Sequence, residues 1–280
     1  MHDEETAERK YWADQLDEAH AFMMRAMECP VAECGERLVS LPDAAREAGV
    51  ETAFSEKPHA LGLPRIFVLR EGLIARFVEA AERMNHRGWV MLVEDGYRTR
   101  AMQKHQGLTP ALFDLVLRKV VWELGGRMPK TEFFFRRLLT LIAQIPKTGT
   151  HMSGSAVDIS VLWRKDRTEV DRGGPYIEIS HRTPMHSPFV GPEARRNRAE
   201  ITEIMRESGF VEYPFEFWHY SGGDAYEQIL LETGRPARYG AVDYDARTGA
   251  ATPIEEPEKP LNSLDEIRAE IHASLERWKP

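Results

Sequence analysis

Residues 156–161 alternate strictly, with Val157, Ile159 and Val161 on one face and Ala156, Asp158 and Ser160 on the other. A period of two marks a strand with one face in the core, so this segment is read as a half-buried strand. The run before it, Gly149-Thr150-His151-Met152-Ser153-Gly154-Ser155, can break the strand with a turn or bulge, because glycine accepts backbone angles that other residues avoid. Upstream, Leu73, Ile74, Phe77, Val78, Ala81 and Met84 recur at helical spacing as far as a stop at Arg87-Gly88. Trp89–Val93 is then a short apolar run, read as a buried strand that opens through Glu94-Asp95-Gly96-Tyr97-Arg98 into a turn. Helices are expected at about 109–124 and 131–145. A further helix at about 193–208 should close on a left-handed cap at Gly209. Phe210–Tyr213 and Phe215–Tyr220 read as strands on either side of Pro214.

The two ends read differently. Glu4–Met27 is rich in Ala, Glu, Met and Leu, which favour helix. Thr252–Pro260 reads as a linker. Beyond it, Ser263 and Glu266 make a capping box for a last helix with an apolar stripe of Leu264, Ile267, Ile271, Leu275 and Trp278. The stripe should pack on the body of the protein, with a dimer contact as the alternative.

Composition removes several function classes. The net charge of −8 over 280 residues disfavours a dedicated nucleic-acid binder. The densest basic cluster, Arg195, Arg196 and Arg198, is read as a solvated helix face. No apolar stretch approaches the ~18 residues needed to span a bilayer, so no membrane partner is expected. The acidic first ten residues lack the apolar core of a signal peptide, which makes a cytoplasmic location the expectation. Cys29 and Cys34 do not form a C-x-x-C pair and are read as free thiols.

The motifs of zincins, serine hydrolases, P-loop proteins and Rossmann folds are all absent. What remains is a pair of segments, Gly149–Asp158 and Glu216-Phe217-Trp218-His219. On a straight strand the odd separation of His151 and Asp158 would put them on opposite faces, but a turn at Ser153-Gly154-Ser155 lets them converge. Two histidines and a carboxylate make a three-ligand set with a fourth position open for water, and Glu216 would be a general base beside it. The residues taken singly have plainer readings: a histidine packed on a strand, an aspartate capping a turn. Non-haem iron uses the same ligand types as zinc. The residue types therefore suggest a metal site and leave the ion open.

At this point the chain resembles the D-alanyl-D-alanine dipeptidases, a family grouped with the zinc D-Ala-D-Ala carboxypeptidases and the hedgehog-like metallopeptidase fold. The family pattern S-x-H-x-x-G-x-A-x-D is met by Gly149, His151, Gly154, Ala156 and Asp158, and E-x-W-H by Glu216, Trp218 and His219. A D-x-Y-R segment is matched by Asp95, Tyr97 and Arg98, and a Ser-His pair by Ser180-His181, all in the family's order from about Leu63 to Tyr239. With the element pattern, the resemblance implies an α+β fold in which a small, mainly antiparallel sheet carries a zinc site and is flanked by helices. It implies one Zn²⁺ per chain bound by His151, Asp158 and His219, Glu216 as general acid and base, and Arg98 as stabiliser of the oxyanion. Trp218 and His181 would support the site from behind.

The match has departures. Gly149 stands where the family has Ser, and no Asp falls at the family's ammonium anchor after the second ligand. Asp171 and Glu178 are the candidates for that anchor, with Ser180 as a further substrate contact. The expected organisation is an N-terminal helical extension over 1–62, a zinc peptidase domain over 63–240, and a linker with C-terminal helix over 241–280. The expected activity is zinc-dependent hydrolysis of a short peptide, such as the D,D-dipeptide D-Ala-D-Ala. The alternatives are a carboxypeptidase or amidase on longer peptidoglycan peptides, and a metal-stabilised binding protein without turnover. Oligomerisation through the last helix is left open.

Overall fold

The computed structural model describes residues 2–59 and 62–279. The chain opens with a long helix, α1 (His2–Glu28), whose Trp12, Leu16, Ala19, Phe22, Met23 and Ala26 recur every three or four residues and are all buried. A short strand, β1 (Leu38–Ser40), runs into α2 (Leu41–Ala48), where the Ser40 hydroxyl accepts from the Asp43 N–H as a cap. Strands β2 (Thr52–Phe54) and β3 (Val68–Arg70) follow, then α3 (Ile74–His86) and β4 (Trp89–Asp95). Three helices, α4 (Arg100–Gln106), α5 (Pro110–Glu123) and α6 (Thr131–Ile142), separate β4 from β5 (Ala156–Trp163). The second half holds α7 (Pro192–Glu207), β6 (Val211–Glu212), β7 (His219–Ser221), α8 (Ala225–Leu230), β8 (Val242–Tyr244), β9 (Ala251–Pro253) and α9 (Leu264–Trp278).

The central sheet has the order β2-β4-β5-β7-β6. Only β2 runs parallel to its neighbour; the other pairings are antiparallel, which makes this the small, mainly antiparallel sheet of an α+β fold. The edge strand β2 lies inside the stretch assigned above to the N-terminal extension. Val157, Ile159 and Val161 of β5 join Trp89, Met91 and Val93 of β4 in one core with residues of α3 and α7. A second apolar cluster is mostly helical and unites Trp12 and Leu16 of α1 with Phe113 of α5, Phe134 of α6, and Ile267 and Ile271 of α9. The apolar stripe of the last helix therefore packs on α5 and α6.

Four expectations change. Strand β5 is buried on both faces from Ala156 to Val161 rather than half-buried, because its polar residues are also covered: Ser160 donates to Glu94 at 2.8 Å and accepts from Arg172 at 2.8 Å. Residues 215–218 form a turn instead of a strand, held by the Glu216 N–H on the Tyr213 carbonyl and the His219 N–H on the Glu216 carbonyl, both 3.2 Å. Helix α6 stops at Ile142 because Ala143 takes a left-handed conformation, φ 45°. Arg198 is not solvated: its guanidinium sits 4.0 Å from the Phe217 ring centre and donates to the carbonyls of Arg172, Arg182, Pro184 and Met185. Its neighbours Arg195 and Arg196 do face solvent or its margin. Both cysteines are free. Among the described residues, no helix is long and apolar enough to cross a membrane.

Candidate metal centre

The register of the sheet brings two of the expected ligands together. Asp158 of β5 pairs with His219 of β7, so their side chains leave the sheet as cross-strand neighbours. His151 reaches the same point from the turn before β5. That turn needs Gly154 at φ +67°, and a Cβ there would lie 2.6 Å from Leu38 Cδ2, so the position is closed to other residues by backbone and by space alike. The Arg98 N–H on the His151 carbonyl, 3.2 Å, ties the turn to the chain leaving β4.

His219 Nδ1 lies 2.9 Å and His151 Nε2 3.2 Å from Asp158 Oδ1, and one ligand atom from each residue falls within 4.8 Å of the others. The outer nitrogens are engaged elsewhere. His151 Nδ1 is 2.6 Å from the Gly96 carbonyl, which can only accept, so Nδ1 carries the proton and Nε2 presents a lone pair. That Nε2 is buried without a hydrogen-bond partner. His219 Nε2 is 2.9 Å from the Thr150 hydroxyl, leaving Nδ1 to face Asp158. A lone pair, a carboxylate oxygen and a second imidazole nitrogen thus converge in a buried space, an arrangement that a cation satisfies and a proton on each would not. Bonds of about 2.0–2.1 Å at tetrahedral angles place ligand atoms roughly 3.3 Å apart, near the 2.9 and 3.2 Å that separate the two imidazole nitrogens from Asp158 Oδ1. The residues present fit a metal ion such as zinc.

The second oxygen of Asp158 is fixed from outside. Oδ2 accepts from Arg98 Nη2 at 3.1 Å and from the Tyr176 hydroxyl at 2.9 Å. Burial pushes the Asp158 carboxyl up, but the electrostatics of the adjoining His151 and His219 imidazoles outweigh it and hold the group well below the usual carboxylate range. Arg98 is itself held by Asp95 Oδ2 at 2.7 Å and lies 3.4 Å from Gln103 Oε1.

Glu216 projects from the 215–218 turn, with a carboxylate oxygen 4.0 Å from His219 Nδ1. Its side chain keeps 19% of its surface open, and it lines a cavity of about 60 Å³ with Arg98 and the three candidate ligands. Burial and the charge of Asp158 push its carboxyl up to about 8, against the opposing effects of Arg98 and a hydrogen bond from Trp218. Trp218 lines the same cavity and meets the Tyr176 ring edge to face at 5.6 Å. Met23 of α1 and Thr140 of α6 also line it.

The other expected residues lie elsewhere. Asp171 is exposed and accepts from the Gly173 N–H at 2.8 Å. Glu178 is engaged by Ser180 Oγ and by Arg182 at 3.2 Å, and none of the three lines the cavity. His181 sits 3.5 Å from Glu8 of α1, between Trp122 and Phe189, and does not support the cluster. Sequence reasoning did not single out Thr150, Tyr176 or the Gly96 carbonyl. Only Thr150 carried a signal, as the neighbour of His151.

A family model described as D-ala-D-ala dipeptidase matches residues 51–235. A D-alanyl-D-alanine dipeptidase of Synechocystis is 26% identical, the match covering 76% of this chain and 95% of that protein. One from Escherichia coli is 30% identical over 32% of this chain and 46% of its own length, and one from Enterococcus faecalis 26% identical over 48% and 62%. Two solved structures are also similar: a vancomycin-resistance D,D-pentapeptidase VanY in complex with Zn(II), with TM-score 0.37, 16% identity and 65% of this chain covered, against 96% of its own, and the LD-carboxypeptidase LdcB, with TM-score 0.37, 17% identity, and 72% and 74% covered.

Proposed function

The chain belongs to the D-ala-D-ala dipeptidase family of peptidases, and from that premise we propose that it hydrolyses a short peptide, a D,D-dipeptide such as D-Ala-D-Ala, with one zinc ion held by His151, Asp158 and His219. The observation that carries the reading is the convergence of His151 Nε2, Asp158 Oδ1 and His219 Nδ1 beside Glu216. Two imidazoles and one carboxylate leave an ion a free coordination position, as hydrolytic zinc sites do and structural ones do not. When bound, zinc supplies Lewis acidity to the scissile carbonyl and acidity to water.

The protein's own groups do the rest. Glu216 takes the proton of the attacking water on a carboxylate oxygen and delivers it to the leaving nitrogen, a role suited to a carboxyl that burial has raised toward neutrality. Arg98, held by Asp95 and Asp158, keeps its charge at the cavity wall, where the carbonyl oxygen becomes negative. Trp218 orients Glu216, and Tyr176 and Arg98 together fix Asp158 so that Oδ1 faces the two histidines, where it would help hold the ion. The small cavity, lined in part by Met23 of α1, favours a short substrate. In this reading 63–240 is the catalytic unit, 241–280 a linker and packing helix, and 1–62 an extension that lends β2 to the catalytic sheet.

The test is a panel of L,L-, L,D- and D,D-dipeptides, free and N-blocked, with metal analysis of the purified protein. Near-stoichiometric zinc, activity lost on chelation and restored by zinc, and preference for free D,D-dipeptides are expected. Full-rate cleavage of blocked or long peptides rejects the dipeptidase reading, and iron with activity insensitive to zinc removal rejects the zinc site.

A further inference from the structure

His151 owes its place to the turn before β5, and that turn is held from outside. The three carbonyls that follow His151 each accept a bond from a residue beyond the turn: Met152 from the Val242 N–H at 2.9 Å, Ser153 from Arg70 Nε at 2.6 Å, and Gly154 from the Arg70 N–H at 2.8 Å. Arg70, the last residue of β3, thus fixes two successive peptide groups with one side chain and its own backbone. Those are the two planes that flank the Gly154 Cα. Because each peptide group is rigid, fixing both planes fixes the φ and ψ between them, here the φ of +67° that only glycine adopts without strain.

The guanidinium is fully buried and every N–H on it is used. Beyond the Nε bond, Nη1 donates to Glu33 Oε1 at 2.9 Å and to the Glu36 carbonyl at 2.8 Å, and Nη2 to Glu33 Oε2 at 3.0 Å and to the Gly240 carbonyl at 3.2 Å. Glu33 is anchored in turn, Oε1 by the Gly35 N–H at 2.8 Å and Oε2 by the Gly240 N–H at 2.7 Å. A buried ion pair is weak evidence for stability, since apolar residues of the same size often serve as well. What this pair supplies is direction: a planar fork locked on a carboxylate aims the remaining donor, Nε, at one carbonyl. The groups that lock it come from the two ends of the catalytic unit. Glu33 lies between α1 and β1, and Gly240 lies just before β8, so close to Val31 that a Cβ on it would sit 2.8 Å from Val31 Cγ1.

We propose that Arg70, with Glu33 as its counter-charge, is a positioning residue of the metal centre: it sets the backbone angles at Gly154 and through them the place of His151 Nε2. It lines no part of the cavity and acts only through the turn. The inference rests on the reading of His151, Asp158 and His219 as zinc ligands, and it extends the site to the segment that follows α1 and to the chain around Gly240.

The test measures zinc affinity of the full chain by chelator competition, beside urea stability of the metal-free protein. Glu33→Gln and Arg70→Gln should each weaken zinc binding about tenfold or more, the usual loss when an outer support of a ligand is removed. The visible absorption bands of the Co²⁺-loaded variants should shift, because they report ligand geometry. The double variant should lose no more than Arg70→Gln alone, since both changes release the same clamp. Glu123→Gln is the control: it weakens a buried arginine pair in the helical cluster, with Arg137, and should lower urea stability while zinc affinity stays within twofold of wild type. Glu33→Gln changes one atom of a side chain that is 13% exposed, so it carries the test where Arg70→Gln fails to fold. Zinc affinity and Co²⁺ spectrum unchanged in Glu33→Gln, losses that multiply in the double variant, or an equal loss in Glu123→Gln overturns the positioning role. Wild-type protein that binds no zinc overturns the metal site itself; tight wild-type binding with indifferent variants overturns the clamp alone.

Discussion

At the scale of single residues, Asp158 shows how the centre is assembled. Its two oxygens are divided, Oδ2 to Arg98 and Tyr176, Oδ1 to the two histidines. The histidines are divided in the same way, one nitrogen inward and one anchored to Gly96 or Thr150. Outer partners of this kind fix ring orientation, and losing one typically costs about 10–100-fold in metal affinity. Thr150→Val should therefore weaken zinc binding about tenfold or more, measured by competition with a chromophoric chelator, with the circular dichroism spectrum retained; wild-type affinity would deny Thr150 its orienting role. Glu216→Gln should keep zinc and lose about 10²–10⁴-fold in kcat, the usual worth of a positioned acid–base group. The convergence of His151, Asp158 and His219 is legible in the sequence, because the spacing around Gly154 and the Glu-x-x-His run carry it. Tyr176 is not: it lies in an aperiodic loop, and its bond to Asp158 exists only once that loop folds over the sheet. The anchor candidates Asp171 and Glu178 lie outside the cavity for the converse reason, since charge and nearness in sequence say nothing about which way a loop turns.

At the scale of elements, periodicity decides what can be read. Helices α3, α5 and α7 and strands β4 and β5 fall where their apolar patterns place them. Strand β2, with three residues, is too short to show a period and emerges only through its pairing with β4. Alternation marks the polar face of β5 but cannot reveal that Glu94, Arg172 and the two histidines beside Asp158 cover it. The Phe215–Tyr220 run is aromatic enough to look like a strand, yet its first part folds into the turn that presents Glu216, so local propensity yields to the tertiary site. The turn before β5 is the element on which the centre depends most. Gly154→Ala meets both a positive φ and the Leu38 side chain, and should cost about 1–3 kcal/mol in urea unfolding. Because the same turn delivers His151, zinc affinity should fall with it; a variant of unchanged stability would show that the turn relaxes freely.

For the molecule as a whole, the sheet core and the helical cluster of α1, α5, α6 and α9 meet around the cavity, so groups near the site also govern how the fold responds to acid. His59 is the clearest case. Burial, first, and the Arg98 charge, second, lower its pKa from 6.5 to about 4, while Asp95 acts in the other direction. Above pH 6.5 the imidazole is neutral in both folded and unfolded chains and stability does not depend on it. As the pH falls below 6.5 the unfolded chain takes up a proton that the folded chain refuses, so stability declines until the folded form also titrates near pH 4. The full amplitude is on the order of 3 kcal/mol, taking about 1.4 kcal/mol for each pKa unit. A second stage follows at lower pH. Burial raises the Asp95 carboxyl, but Arg98, His151 and Arg65 outweigh it, so its folded pKa lies below 3.8 and its contribution is lost as the pH falls through that range. Urea midpoints between pH 7 and 4.5 should thus decline in the wild type and decline less in His59→Gln, which has no proton to refuse. The difference between the two curves isolates this residue from any zinc released by acid, since both chains keep the same three ligands. Parallel curves would show that His59 is solvated in the folded protein.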